Sequence, residues 1–158
     1  MILWVDFLGP YGAADVAGRR AAEWPPHPDR LFQALVDAAA PAVAEDRAAL
    51  AWLETQPPPA LVCSDAVPFD WGRNGKAYVP VNYPDAGLPE TRSKQERVFP
   101  MSWPQGPVGF VWSDPEPELL ARLDGLARRV SHLGRADSLA LAWAEATPSP
   151  VLFTAVTM

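Results

Sequence analysis

The sequence predicts an α+β sandwich whose core elements follow the order βαββαβ. Three observations carry that prediction. Residues 2–8, Ile-Leu-Trp-Val-Asp-Phe-Leu, form a short apolar run closed by Gly9-Pro10. Two stretches carry apolar residues at helical spacing, Leu31, Phe32, Leu35, Val36 and Ala39, then Leu119, Leu123, Leu126, Val130 and Leu133. Short strand-like runs at 108–112 and 138–145 flank the second stripe on either side.

Taken in order, residues 2–8 read as a central strand and residues 9–27, with three glycines and three prolines, as a long loop. A helix is expected over 28–40, stopped by Pro41, because proline lacks the N–H and clashes with the preceding turn. A second helix, over 43–55, turns Leu50 and Leu53 inward and ends before Pro57-Pro58-Pro59. Residues 60–67 are a weaker strand candidate. Residues 68–106 differ in character, mixing prolines, glycines, aromatics and basic residues, and read as a long insertion with a loose hairpin near Tyr78-Val79-Pro80-Val81. After the strand at 108–112, a third helix is expected over 115–132 with Gly134 as its exit, followed by a strand over 138–145. Residues 151–156 are a candidate for one more strand. With the insertion set aside, this is a ferredoxin-like, RNA-recognition-type order within a single domain over 1–158.

Composition bounds the function. One cysteine, Cys63, gives no disulfide framework and no cysteine-based zinc site, and fits a reducing cytoplasm. No apolar run reaches the ~20 residues of a membrane span. The net charge of −6 argues against a free-standing nucleic-acid binder, which needs concentrated positive charge. The charges are segregated, however. Arg19, Arg20 and Arg30 frame the residues before the first helix, and Arg128, Arg129 and Arg135 frame those after the third. Asp37, Glu45, Asp46 and Glu54 gather around the intervening helices, where a solvated helix face explains them.

Two tight polar junctions are the most constrained local sequences. Trp24-Pro25-Pro26-His27-Pro28-Asp29-Arg30-Leu31-Phe32 is a proline-stiffened approach to a helix, and His132-Leu133-Gly134-Arg135-Ala136-Asp137-Ser138-Leu139 leads from a helix into a strand. His27 is expected to fix the loop before its helix, and His132 to meet the terminal carbonyls of the other. They are the only histidines and sit at different junctions, so a shared active site is not implied. Arg30 suits either a phosphate at a helix N-terminus or a pairing with Asp29 or Asp37. One glycine at 134 does not make a phosphate loop, the acids show no ligand spacing, and no metal or cofactor is expected. In the insertion, Arg73, Lys76, Arg92, Lys94 and Arg97 interleave with Trp71, Tyr78, Tyr83 and Phe99, the combination of charge and stacking surface that single-strand binders use. Trp4 and Phe110 are expected in the core rather than as stacking platforms.

Four segments together resemble a known family: the Trp24-to-Phe32 junction, Trp52-Leu53-Glu54 before the proline triplet, Tyr78-Val79-Pro80-Val81-Asn82, and Leu133-Gly134-Arg135 followed by Ser138-Leu139. They look like the CRISPR-associated RAMP proteins in which a Cas-five subunit is fused to a Cas-six endoribonuclease, as in type I-G (formerly I-U) systems. The resemblance implies a ferredoxin-like RAMP domain whose insertion between the inner strands acts as a thumb or hairpin. It also implies a CRISPR RNA-binding role in a cytoplasmic Cascade ribonucleoprotein for antiviral defence, capping the 5′ handle of the guide. The backbone and large subunits would be its partners, with target DNA met only through the complex. RNA contacts are then expected from Arg30, Arg73, Lys76, Tyr83, Arg92, Lys94, Arg97, Phe99, Ser131, His132, Gly134 and Arg135. The RNA-cleaving half of the fusion has no counterpart here, so no catalytic residue is expected in this segment. Two alternatives stand beside this: a metal-independent endoribonuclease using the histidines, and a protein-binding adaptor whose proline-rich loops are the contact surface.

Overall fold

The computed structural model describes residues 1–13, 23–40, 43–69, 76–80, 94–98 and 100–147. In chain order these form β1 (Ile2–Phe7), β2 (Tyr11–Gly12), α1 (Pro28–Ala38), α2 (Ala44–Glu54), β3 (Ala60–Val62), β4 (Ala66–Phe69), β5 (Lys76–Pro80), β6 (Lys94–Val98), β7 (Met101–Pro104), β8 (Val108–Val111), α3 (Pro117–Ala127) and β9 (Ala140–Glu145). The main sheet has the order β3-β8-β1-β9 with every pairing antiparallel. Counting β1, β3, β8 and β9 as the first to fourth core strands, the first and third lie at the centre. That is the arrangement of a ferredoxin-like sandwich, with α1 and α3 as the crossovers.

The strand period of two divides the sheet into two faces. Leu3, Val5, Val108, Phe110, Ala140, Ala142 and Ala144 point to one face and join a buried core with Leu31, Leu35, Leu123 and Leu126 of the helices. Each fully buried leucine contributes about 1.5–3 kcal/mol by leaving water. Small alanines on β9 let α3 lie close over that strand. The edge of β9 is blunted. The Ala144 N–H donates to Asp124 Oδ1 of α3 at 3.0 Å, and the Ala140 N–H to the Ser131 carbonyl at 3.1 Å.

Helix boundaries differ from the sequence expectation where tertiary packing takes over from periodicity. The third helix ends at Ala127 rather than 132. Arg129 N–H and Val130 N–H then bond three residues back, tightening the chain, yet Val130 and Leu133 remain buried, so the apolar stripe outlasts the helix that began it. Gly134 is therefore not a helix cap. It occupies positive φ (+85°) in the following turn, where the Arg135 N–H donates to the Gly12 carbonyl at 2.9 Å. His132 lies beyond the helix as well, bridged to Leu139, with Nδ1 3.1 Å from Ser131 Oγ.

Residues 60–67 divide between two sheets: β3 edges the main sheet, and β4 joins β2 and β7 in a second one of order β2-β7-β4. The insertion is thus strand-rich, with β5 and β6 forming a hairpin, and it connects the edge strand β3 to the central strand β8 rather than two inner strands. The expected loop before α1 contributes β2, whose Tyr11 is fully buried. Nor is the acid cluster wholly solvated. Asp46 is fully buried, accepting the Ala40 N–H and Arg129 Nη2 at 2.9 Å each and pairing with Arg122, so one carboxylate joins the end of α1 to α2 and α3. Burial opposes its ionisation, but the Ala40 and Arg129 hydrogen bonds prevail and hold its pKa below the usual carboxylate range. The strand candidate at 151–156 lies outside the described residues.

A Cβ added at Gly134 would lie 2.6 Å from the Gly12 carbonyl oxygen and 3.0 Å from the Tyr11 ring, at a φ that L residues disfavour. Gly134→Ala is expected to lower stability by about 2 kcal/mol or more, seen as a lower urea midpoint at unchanged slope. An unaltered midpoint would mean that the turn does not hold β2 in this way.

Candidate functional site

The two junctions that the sequence leaves separate meet in the fold. Strand β2 lies between them and bonds to both. On one side the Tyr11 hydroxyl donates to Glu23 Oε1 at 2.9 Å. On the other, the Gly12 N–H donates to Ser138 Oγ at 2.8 Å, and the Gly12 carbonyl accepts from Arg135 N–H. A cleft of about 480 Å³ opens between α1 and the segment after α3, lined by His27, Asp29, Arg30, Gln33 and Asp37 on one wall and by Arg129, Ser131, His132 and Gly134 on the other.

Glu23 organises the first junction. Pro25, Pro26 and Pro28 have no backbone N–H, which leaves His27 as the sole donor between 25 and 28, and that N–H reaches Glu23 Oε1 at 3.0 Å. Arg30 grips the same carboxylate with two contacts of 2.7 Å, from Nε to Oε1 and from Nη2 to Oε2. Burial alone would raise the Glu23 carboxyl. The hydrogen bonds from Arg30, the His27 N–H and Tyr11 outweigh it and hold the pKa at about 2. Burial and the neighbouring Glu23 carboxylate push the Tyr11 phenol well above its ordinary value. His27 is the N-cap of α1, its Nδ1 accepting from the Asp29 N–H at 3.4 Å and lying 3.2 Å from Asp29 Oδ2. The open choice for Arg30 is settled by geometry: its partner is Glu23, neither Asp29 nor Asp37.

The second junction presents different groups. Ser131 and Gly134 are exposed and His132 is half-buried, while the Arg135 guanidinium contacts Asp137 at 3.2 and 3.4 Å and its chain lies against Gly12. Leu133 N–H to the Ser138 carbonyl and Ser138 N–H to the Arg135 carbonyl close the turn. Because β2 also pairs with β7, this turn is bonded to the edge strand of the β2-β7-β4 sheet, to which the two ends of the insertion contribute β4 and β7. Lys94 is exposed at the start of β6, and Lys76 and Arg97 occupy β5 and β6. Arg73, Tyr83, Arg92 and Phe99 lie outside the described residues.

Sequence reasoning missed Glu23 and Asp46. An acid a few residues ahead of a proline-rich segment with one available N–H was the readable signal for Glu23, and Asp46 had none. It also misjudged Trp4. Phe110 is in the core, whereas Trp4 sits on the opposite face of the sheet, half-buried. Among the described residues no group of three or more potential metal ligands occurs.

The sequence model of a family described as "CRISPR-associated protein, GSU0054 family" matches residues 3–143. No curated protein matches the chain.

Glu23 has a folded pKa below its ordinary 4.5, so its contribution is complete above 4.5 and is lost as the pH falls through about 2. Glu23→Gln is expected to cost about 2 kcal/mol at pH 7 and to flatten the stability profile across that acid window. Urea unfolding at pH 7, 4 and 3 checks this, and parallel profiles for the two proteins would contradict the assignment.

Proposed function

We propose, because this chain belongs to the GSU0054 family of CRISPR-associated proteins, that it is a Cas-five-like subunit of a type I-G Cascade complex that binds the 5′ handle of the CRISPR RNA. In this reading the segment is a scaffold rather than an enzyme. It docks against the backbone and large subunits in the cytoplasm and meets target DNA only through the complex. The observation that carries the reading is the join between the 131–135 turn and the insertion. Gly12 bonds the turn through Arg135 N–H, and β2 pairs with β7, so the turn is tied to the sheet that the two ends of the insertion form, which supports a surface shared by the turn and the insertion.

The geometry also bears on the candidate contacts. Arg30 pairs with Glu23, which supports a structural role for it beside the expected RNA contact. Ser131, His132 and Gly134 line an accessible cleft wall and supply the turn side. Arg135 and the insertion residues Arg73, Lys76, Arg92, Lys94 and Arg97 supply charge, with Tyr83 and Phe99 as stacking surfaces. With a net charge of −6, affinity for RNA depends on the rest of the assembly bringing guide and protein together.

A second reading, metal-independent RNA cleavage, draws on one observation: His27 and His132 line the same cleft. Both are engaged locally, His27 as a helix cap and His132 with Ser131, which favours the binding role.

Replacing Arg92, Lys94, Arg97 and Arg135 together by alanine is expected to lower guide retention in the purified complex roughly tenfold and to expose the guide 5′ end to exonuclease. Unchanged retention and protection would sink the binding reading. Cleavage of a repeat RNA by the isolated chain in EDTA, abolished by His27→Ala or His132→Ala, would replace it with the catalytic one.

A further inference from the structure

The face of the main sheet that turns away from the helices carries neither the core nor the cleft. Its residues follow from the register. Trp4 stands opposite Trp143, Asp6 opposite Leu141, and the Leu8 N–H bonds the Leu139 carbonyl where the pairing continues past the strand ends. Leu8, Leu139 and Leu141 are 60, 51 and 55% exposed and lie side by side on this face, and it is such a contiguous apolar patch, not a single exposed leucine, that marks an interaction surface. The Trp4 and Trp143 rings stack with centroids 6.4 Å apart and planes inclined by 28°. Trp4 extends across the sheet onto β8, where a Cβ at Gly109 would fall 2.7 Å from its ring. Gly109 is thus the residue that allows the indole to lie flat over the sheet.

The charge on this face has one sign. None of the four strands β1, β3, β8 and β9 contains a lysine or arginine, while Asp6 and Glu145 lie on the open face beside the tryptophans. Glu145 Oε1 accepts from Trp4 Nε1 at 2.8 Å, which fixes the indole and leaves the other carboxylate oxygen without a partner among the described residues. A nucleic acid would be repelled, and a second copy of the same face would bring carboxylates together. Two stacked indoles with an adjacent carboxylate instead suit a guanidinium, which stacks on an aromatic face and donates to an oxygen anion at once.

We propose that this open face, centred on Trp4, Trp143 and Leu141, is a docking surface for a partner-protein segment that presents an apolar strip flanked by arginines. The leucines receive the strip, and Glu145 and Asp6 receive the arginines. The surface is distinct from the cleft and does not depend on the RNA-binding reading. It gives an acidic subunit a basic protein neighbour on the side away from its helices.

The test uses a synthetic amphipathic helical peptide with a leucine strip flanked by arginines, a matched peptide with glutamate at the arginine positions, and a short single-stranded RNA. Indole N–H resonances of the isotope-labelled chain report binding at the site itself. The arginine peptide is expected to shift the Trp4 and Trp143 indole signals saturably. The glutamate peptide should bind roughly tenfold more weakly, and Leu141→Lys should weaken the arginine peptide by a similar factor. Leu141 is half exposed and faces Asp6, so lysine there keeps the fold, and Leu139→Ser is a second variant that adds no charge. Equal binding of both peptides would reduce the face to nonspecific stickiness and overturn the proposal. RNA displacing the peptide would reassign the face to nucleic acid. Concentration-dependent shifts of the same signals without peptide would make the partner a second copy.

Discussion

The carboxylate of Glu23 is the constraint on which the arrangement of the cleft depends. Three parts of the chain reach it: β2 through the Tyr11 hydroxyl, the proline-stiffened segment through the His27 N–H, and α1 through the Arg30 guanidinium. A charge-assisted bidentate pair with two further donors is the arrangement in which a mostly buried carboxylate stays ionised and holds its neighbours in place. Once α1 is fixed at its first turn, Leu31 and Leu35 fall onto the sheet. Once β2 is fixed, Gly12 is presented to the turn at 134–138. The relation between the two junctions is thus set by an interaction at one of them, transmitted through a strand of two residues.

The legible part of the fold was the part decided locally. The apolar run at 2–7, the stripe through Leu31 and Leu35 and that through Leu119, Leu123 and Leu126 each specify an element whose inward face repeats with its own period. Their order then leaves few sandwiches to choose from. What was not legible was decided by distant partners. Val130 and Leu133 continue a helical pattern because they continue to face the core, although the helix has ended. Ala60 to Val67 reads as one strand because residue composition does not record which sheet each half joins. Asp46 reads as a solvated acid until Arg122 of α3 and Arg129, just past its end, arrive from more than 75 residues later.

The site was legible in its pieces and not in its assembly. Each junction is visible as proline or glycine punctuation, where local backbone demands limit the residues allowed. That they form two walls of one cleft follows from Tyr11 and Gly12, two residues in a stretch without periodicity. Trp4 illustrates the converse. Apolar neighbours on both sides point to a buried residue, but in a strand with one covered face alternate apolar residues lie on opposite sides, and parity assigns Trp4 to the open one.

Parity also explains how an acidic chain can present chemically different surfaces. Tyr11 and Gly12 connect the turn at 134–138 to the sheet of the insertion, whose sequence carries most of the lysine and arginine outside the helices and junctions. The strands of the main sheet carry no basic residue and place Asp6 and Glu145 beside half-buried tryptophans and exposed leucines. Net charge averages these regions and so describes neither. The acidic sheet repels a polyanion and attracts a basic protein segment whatever the charge elsewhere, because screening confines its field to roughly 8–10 Å at physiological salt. Segregated charge therefore suits the open sheet to a partner of opposite charge.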